Sequence, residues 1–155
     1  MWIRERRNKA PGPMSDPYEF IDMAQKAFDF LVKDFGFQVT VTKSQGTYHS
    51  EVVFTTHKLK ITVGIWGQSN EAWIIFFPQD KNFPPLHFSS LLNRITGNKT
   101  YFQEQVENKL PSTVFAQNYP QFLSLCADEI KRHCQSILAG DFSQWESNRK
   151  NDRGL

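Results

Sequence analysis

From Phe20 to Phe35 the apolar residues Phe20, Ile21, Ala24, Ala27, Phe28, Leu31, Val32 and Phe35 recur at helical spacing. Glu19, Asp22, Gln25, Lys26, Asp29 and Lys33 hold the opposite face. Ser15 or Asp16 caps this helix, Pro17 fits its first turn and Gly36 stops it. The pattern predicts one amphipathic helix of about five turns.

The period then changes from helical to two. Phe37, Val39 and Val41 alternate with Gln38, Thr40 and Thr42. A glycine turn within Lys43–His49 leads to a second strand over Glu51–Thr56, with Val52 and Phe54 inward. After Thr56-His57-Lys58, Leu59, Ile61, Val63 and Ile65 alternate with Lys58, Lys60, Thr62 and Gly64. Gly67–Asn70 turns the chain into a fourth strand, Ala72–Phe77. That run, AWIIFF, is apolar on both faces, so it belongs near the sheet middle or has its second face covered. The short connections predict an antiparallel meander of four strands.

Pro78–Pro85 is a stiff loop leaving the sheet. Phe88, Leu91, Leu92 and Ile95 predict a short helix over His87–Thr96, ended by Gly97-Asn98. Residues 98–118 predict helical pieces with irregular joins, because Pro111 interrupts their apolar positions. From Pro120 a long helix carries the stripe Phe122, Leu123, Cys126, Ile130, His133, Cys134, Ile137 and Leu138. Asp128, Glu129, Lys131, Arg132 and Gln135 fall off that stripe. Gly140 ends the helix, and Asp141 or Ser143 caps a last turn bearing Phe142 and Trp145. The fold class is α+β: an N-terminal helix, a four-stranded antiparallel sheet, then a helical half with a long final helix.

Length and charge set the domain limits. A chain of 155 residues with 14 Phe and 4 Trp has the size and apolar content for one core. The first 13 residues hold four basic side chains against one acidic, and 148–155 hold three against one. The remainder, 14–147, has 11 basic and 14 acidic side chains, so the overall charge of +2 conceals a mildly acidic body. We therefore expect a disordered basic extension over 1–15, one domain over 16–147 and a disordered tail over 148–155. An acidic body argues against a nucleic-acid-binding face. There is no apolar run long enough for a membrane span and no signal-peptide core, so a cytoplasmic location is expected. Cys126 and Cys134, eight residues apart on one helix, would lie ~12 Å apart, too far to bridge. They are expected to be buried free thiols.

Candidate chemistry is sparse. His49 and His57 lie at strand ends, His87 follows Pro84-Pro85, and His133 is on the last helix. No Gly-x-Ser-x-Gly elbow, paired CxxC, HExxH or phosphate loop occurs. His133 points about 100° around the helix from Cys134, so it is no base for that thiol. These absences predict a non-catalytic chain with no metal and no cofactor. The distinctive feature is aromatic. If Leu59, Ile61, Val63 and Ile65 face the first helix, Trp66 projects from the other side of the sheet. Two accounts of that side stand open: residues 86–118 cover it, or part of it stays free. In the second, Thr40, Thr42, Lys60, Thr62 and Trp66 frame a partner site, with Phe83, Asp80 and Lys81 on the proline-bounded loop as a second contact.

The segment FDFLVKDFGF (Phe28–Phe37), the strands around Val52–Phe54 and Ile61–Val63, and LAGDFSQW (Leu138–Trp145) together resemble a set of short bacterial α+β domains. Those domains are similar to immunity or accessory proteins found beside polymorphic toxins. The resemblance spans most of 18–147 and implies a small single-domain protein that binds and blocks a cognate toxin; separately, a monomer or weak dimer is expected. It brings no functional residues with it. Two rival functions remain. One is a ligand-binding domain or small enzyme with a pocket between the sheet and residues 78–118, using His87, Asp80 and Tyr101. The other is a secretion chaperone or adaptor.

Overall fold

The computed structural model describes residues 17–44, 49–66, 71–110 and 119–145. The expected extension over 1–15, the tail over 148–155, the exact domain limits and the stretch 111–118 lie outside the described residues.

The first helical pattern forms two consecutive helices, α1 (Pro17–Ala27) and α2 (Asp29–Phe35). They part at Phe28, whose backbone sits at φ −106°, ψ 17°. The Phe28 N–H still reaches the Ala24 carbonyl at 3.0 Å, but the Leu31 N–H closes a shorter step onto the Phe28 carbonyl at 3.0 Å. Phe28 and Leu31 are both fully buried across that step. Helix periodicity does not resolve so small a departure, because the apolar face hardly rotates. Gly36 ends α2 at φ 74°, a left-handed conformation that costs glycine least.

Four strands follow: β1 (Gln38–Ser44), β2 (His49–Thr55), β3 (Leu59–Trp66) and β4 (Glu71–Pro78). They pair antiparallel in chain order. A fifth, β5 (Leu86–His87), pairs with Ile75 and Phe76 at the far edge. Pro84 and Pro85 keep the chain extended as it returns. Two residues are too few to show alternation, which is why the sequence pattern predicts only four strands.

Register sorts the side chains. Val52, Val63 and Ile74 share one rung, and Phe54, Ile61 and Phe76 the next. All six are buried on an inner face. The helix layer covers that face. α1 packs on β2 and on α5 (Tyr119–His133), with Phe20 edge-on to Tyr119 at 6.0 Å. α3 (Phe88–Thr96) packs on β4 and β5, with Phe88 stacked on Phe76 at 5.8 Å. Phe102, on α4 (Tyr101–Lys109), meets Phe88 at 5.9 Å and Phe122 at 6.3 Å. The described part of 86–118 thus widens the inner-side helix layer and does not cross to the other face of the sheet.

The long last helix also has a step. α5 gives way at Cys134 to α6 (Gln135–Leu138). Beyond it Phe142 and Trp145 are buried, edge-on to each other at 5.7 Å. The segment GDFSQW therefore anchors the end of the last helical stretch to the core. Among the described residues no helix is long and apolar enough to cross a membrane.

Candidate functional site: the outer sheet face and its edge cavity

The alternation that sends Val52, Ile61 and Phe76 inward sends their neighbours outward. One outer rung runs Thr40, Val53, Thr62, Ile75, His87. The next runs Gln38, Thr55, Lys60, Phe77, and the third Thr42, Glu51, Gly64, Trp73. Trp73, Ile75 and Phe77 are only half-buried, so β4 presents a large apolar stripe on a side where no described helix lies.

Specific contacts hold the stripe. The Trp73 indole lies over Gly64: a Cβ there would be 2.6 Å from Cε2 and closer still to the outer ring carbons. Only glycine leaves room for the ring to lie flat on the sheet. The His49 ring flanks the indole at 5.6 Å. Lys60 holds its ammonium 4.6 Å from the Phe77 ring centroid, a cation–π contact that also shields the ring. The Thr62 hydroxyl and the Trp73 indole N–H are buried with no hydrogen-bond partner among the described residues. Each such polar group costs about 1–3 kcal/mol when left unmet.

The expected partner residues separate. Lys60 and Thr62 do share this face, Thr62 in its centre and almost fully buried. Trp66 occupies an outer-face register position opposite His49 and Glu71; its side chain is outside the described set. Asp80 and Phe83 lie elsewhere. The Asp80 carboxylate accepts the Asn82 N–H at 2.9 Å and shapes the loop. Phe83 packs on Phe142 at 5.4 Å against the main core.

Where β5 stops, the edge of β4 opens into a cavity of about 580 Å³. Trp73, Ile75, Phe88, Phe102 and Phe122 line it, with His49, His87, Ser89 and Cys126 supplying its polar and sulfur atoms. His87 thus reaches a cavity, but Asp80 and Tyr101 do not line it. The three residues of the rival pocket do not come together.

Tyr101 instead joins a cluster that sequence pattern missed. Its hydroxyl donates to the Glu129 carboxylate at 2.6 Å and lies 3.2 Å from His133 Nε2. Arg132 Nη1 donates to the other carboxylate oxygen at 2.8 Å, and Lys109 Nζ stands 4.0 Å away. The Glu129 side chain is fully buried, although its position off the apolar stripe suggests a solvated face. The usable signal was the spacing Glu129, Arg132, His133 at i, i+3 and i+4, which brings a guanidinium and an imidazole to the two carboxylate oxygens. Tyr101, far away in sequence, left no signal. Burial, and then Glu129, push the Tyr101 phenol up, so it stays a donor and not a base. Burial pushes the Cys134 thiol up to about 12 and Cys126 further, with Glu129 adding to both. Both thiols are protonated at neutral pH and poor nucleophiles. Among the described residues no three His, Cys, Asp or Glu side chains are grouped to hold a metal ion.

Compared with models of known families, with characterised proteins and with solved structures, the chain shows no significant match to any of them.

Proposed function

We propose that this chain is a non-catalytic cytoplasmic binding protein of the immunity type, which docks the outer face of its sheet on a cognate protein toxin and blocks it sterically. The observation that carries the reading is the half-buried stripe Trp73, Ile75 and Phe77 on a face without a described helix. Aromatic groups held on a rigid sheet lose little entropy on association, which suits binding hot spots. The threonines of β1 and the cation of Lys60 form a polar border around the stripe, the usual anatomy of a protein interface. The likeness of Phe28–Phe37 and Leu138–Trp145 to toxin-associated domains supplies the partner class.

The test is co-expression with the product of the adjacent gene. The wild-type chain should co-purify with it and relieve its toxicity. Trp73→Asp and Phe77→Asp should lose both effects while keeping the wild-type circular dichroism spectrum. Full protection by both folded variants would remove the outer face from the account. An adjacent secretion effector that is bound but not toxic would favour the chaperone function.

A second reading rests on the edge cavity. Its volume falls within the ~300–1,000 Å³ of small-molecule sites, and its lining is mainly apolar with a few polar groups. It favours a ligand-binding domain, which would show as a melting-temperature rise with apolar aromatic ligands.

A further inference from the structure

β1 is a second unsatisfied surface, on the opposite edge of the sheet from the cavity. Among the described residues it pairs only with β2, so alternate backbone N–H and C=O groups along Gln38–Ser44 face away from the sheet. Natural edge strands avoid pairing with charges, prolines, bulges or brevity. β1 has little of this protection. Its seven residues pair with β2 in unbroken register, without a bulge. Gln38–Thr42 contains no charge and no proline. Val39 and Val41 are 39% and 41% exposed, although their register partners Phe54 and Val52 are buried. The helix layer stops short of them.

The strand is also self-complementary. In an antiparallel pair, opposed residues share a face. Setting Thr40 opposite Thr40 of a second copy places Val39 against Val41 in both directions, and Gln38 against Thr42. Shifting by two residues sets one valine of each copy opposite Lys43, or opposite Phe37, whose side chain is already buried in its own core, and shifting by one moves the valines to opposite faces. No like charges meet within Gln38–Thr42. We propose that β1 pairs antiparallel with β1 of a second copy, about a twofold axis through Thr40, making one continuous ten-stranded sheet. The contact is isologous and closed, so it gives dimers and not filaments. Two short edges and four valines bury less than the ~1,200 Å² of a stable interface, so the dimer is weak and concentration-dependent. Its outer faces would lie side by side, offering a partner two copies of the Trp73 stripe. The pairing stands or falls independently of what that stripe binds.

Thr40→Cys in the full chain tests it by mild oxidation and a non-reducing gel. Cross-strand neighbours have Cα atoms ~4.5–5.5 Å apart, within disulfide range. Thr42→Cys is the register control, because its two copies would be ~13 Å apart along the strands. Cys126 and Cys134 are fully buried and do not compete. Thr40→Cys should link into a species of twice 18.1 kDa, and Thr42→Cys should not. Sedimentation of the wild-type chain should show a monomer–dimer equilibrium, abolished by Val41→Lys with melting unchanged. A chain monomeric up to millimolar concentration would overturn the proposal. So would equal linking through both cysteine variants, a dimer that survives Val41→Lys, or a monomer whose β1 edge instead accepts a strand from another protein.

Discussion

Glu129→Gln is the sharpest perturbation of the helical half. The carboxylate is fully buried and accepts two short hydrogen bonds, from Tyr101 at 2.6 Å and Arg132 at 2.8 Å. Gln keeps the shape and one acceptor oxygen but removes the charge and turns an amide N–H₂ toward a group, Tyr101 or Arg132, that donates to the carboxylate. Breaking a buried pair costs about 3–5 kcal/mol when the surviving charge stays buried. Here Arg132 is 54% exposed and regains water, so the figure falls to roughly 1.5–3 kcal/mol, the range for a hydrogen bond to a charged group. For a chain of this size that is a melting-point loss of about 4–10 °C. Tyr101→Phe removes one of the two bonds and should cost about 1–2 kcal/mol. Because the two residues touch, the double variant should lose less than the sum, with a coupling of about 1 kcal/mol. Thermal unfolding followed by circular dichroism and calorimetry measures all three. A Glu129→Gln variant melting within a degree of wild type, or additive single losses, would refute the buried network.

Other consequences follow from the same contacts. Gly64→Val should expel the Trp73 ring from its seat, cost about 1–3 kcal/mol and raise iodide quenching of Trp73 emission, with a Trp73→Phe background as the reference; unchanged quenching would contradict the packing. Trp145→Ala, which empties a fully buried site, should cost about 3–5 kcal/mol by chemical denaturation. Neither thiol should react with a thiol reagent in the native chain, and both should in denaturant. Burial raises the folded pKa of Cys126, Cys134 and Tyr119, the last two up to about 12, from ordinary values of 9.0 for the thiols and 10.0 for the phenol. The folded state therefore keeps protons that the unfolded chain releases. That stability is fully present below pH 9 and is lost as pH rises toward 12. Denaturation midpoints should fall across that window, less steeply at its lower end in the Cys126→Ala/Cys134→Ala variant.

Strong periodicity made most of the fold legible. The alternation in Val52–Phe54, Leu59–Ile65 and Ala72–Phe77 dictated the strands, and short turns dictated their antiparallel order. What escaped was local or long-range. The steps at Phe28 and Cys134 keep the apolar face nearly continuous and so leave no break in the pattern. β5 is shorter than one alternation. Glu129 looked solvated because only its neighbours in space, Tyr101 and Lys109, reveal that it faces another helix. At the candidate site, parity alone predicted the outward Lys60 and Thr62, and the two-sided hydrophobicity of AWIIFF anticipated the stripe on β4. The loop residues Asp80 and Phe83 followed no period, so nothing in the pattern showed that Phe83 turns toward Phe142.

The proposed docking of a protein on the outer face of the sheet can be read by hydrogen exchange and mass spectrometry on the full chain, with and without the neighbouring gene product. Exchange should slow in β3 and β4, centred on Lys60–Gly64 and Trp73–Phe77, with α1 and α5 unchanged. Protection confined to the helices, with β3 and β4 exchanging as in the free chain, would contradict it.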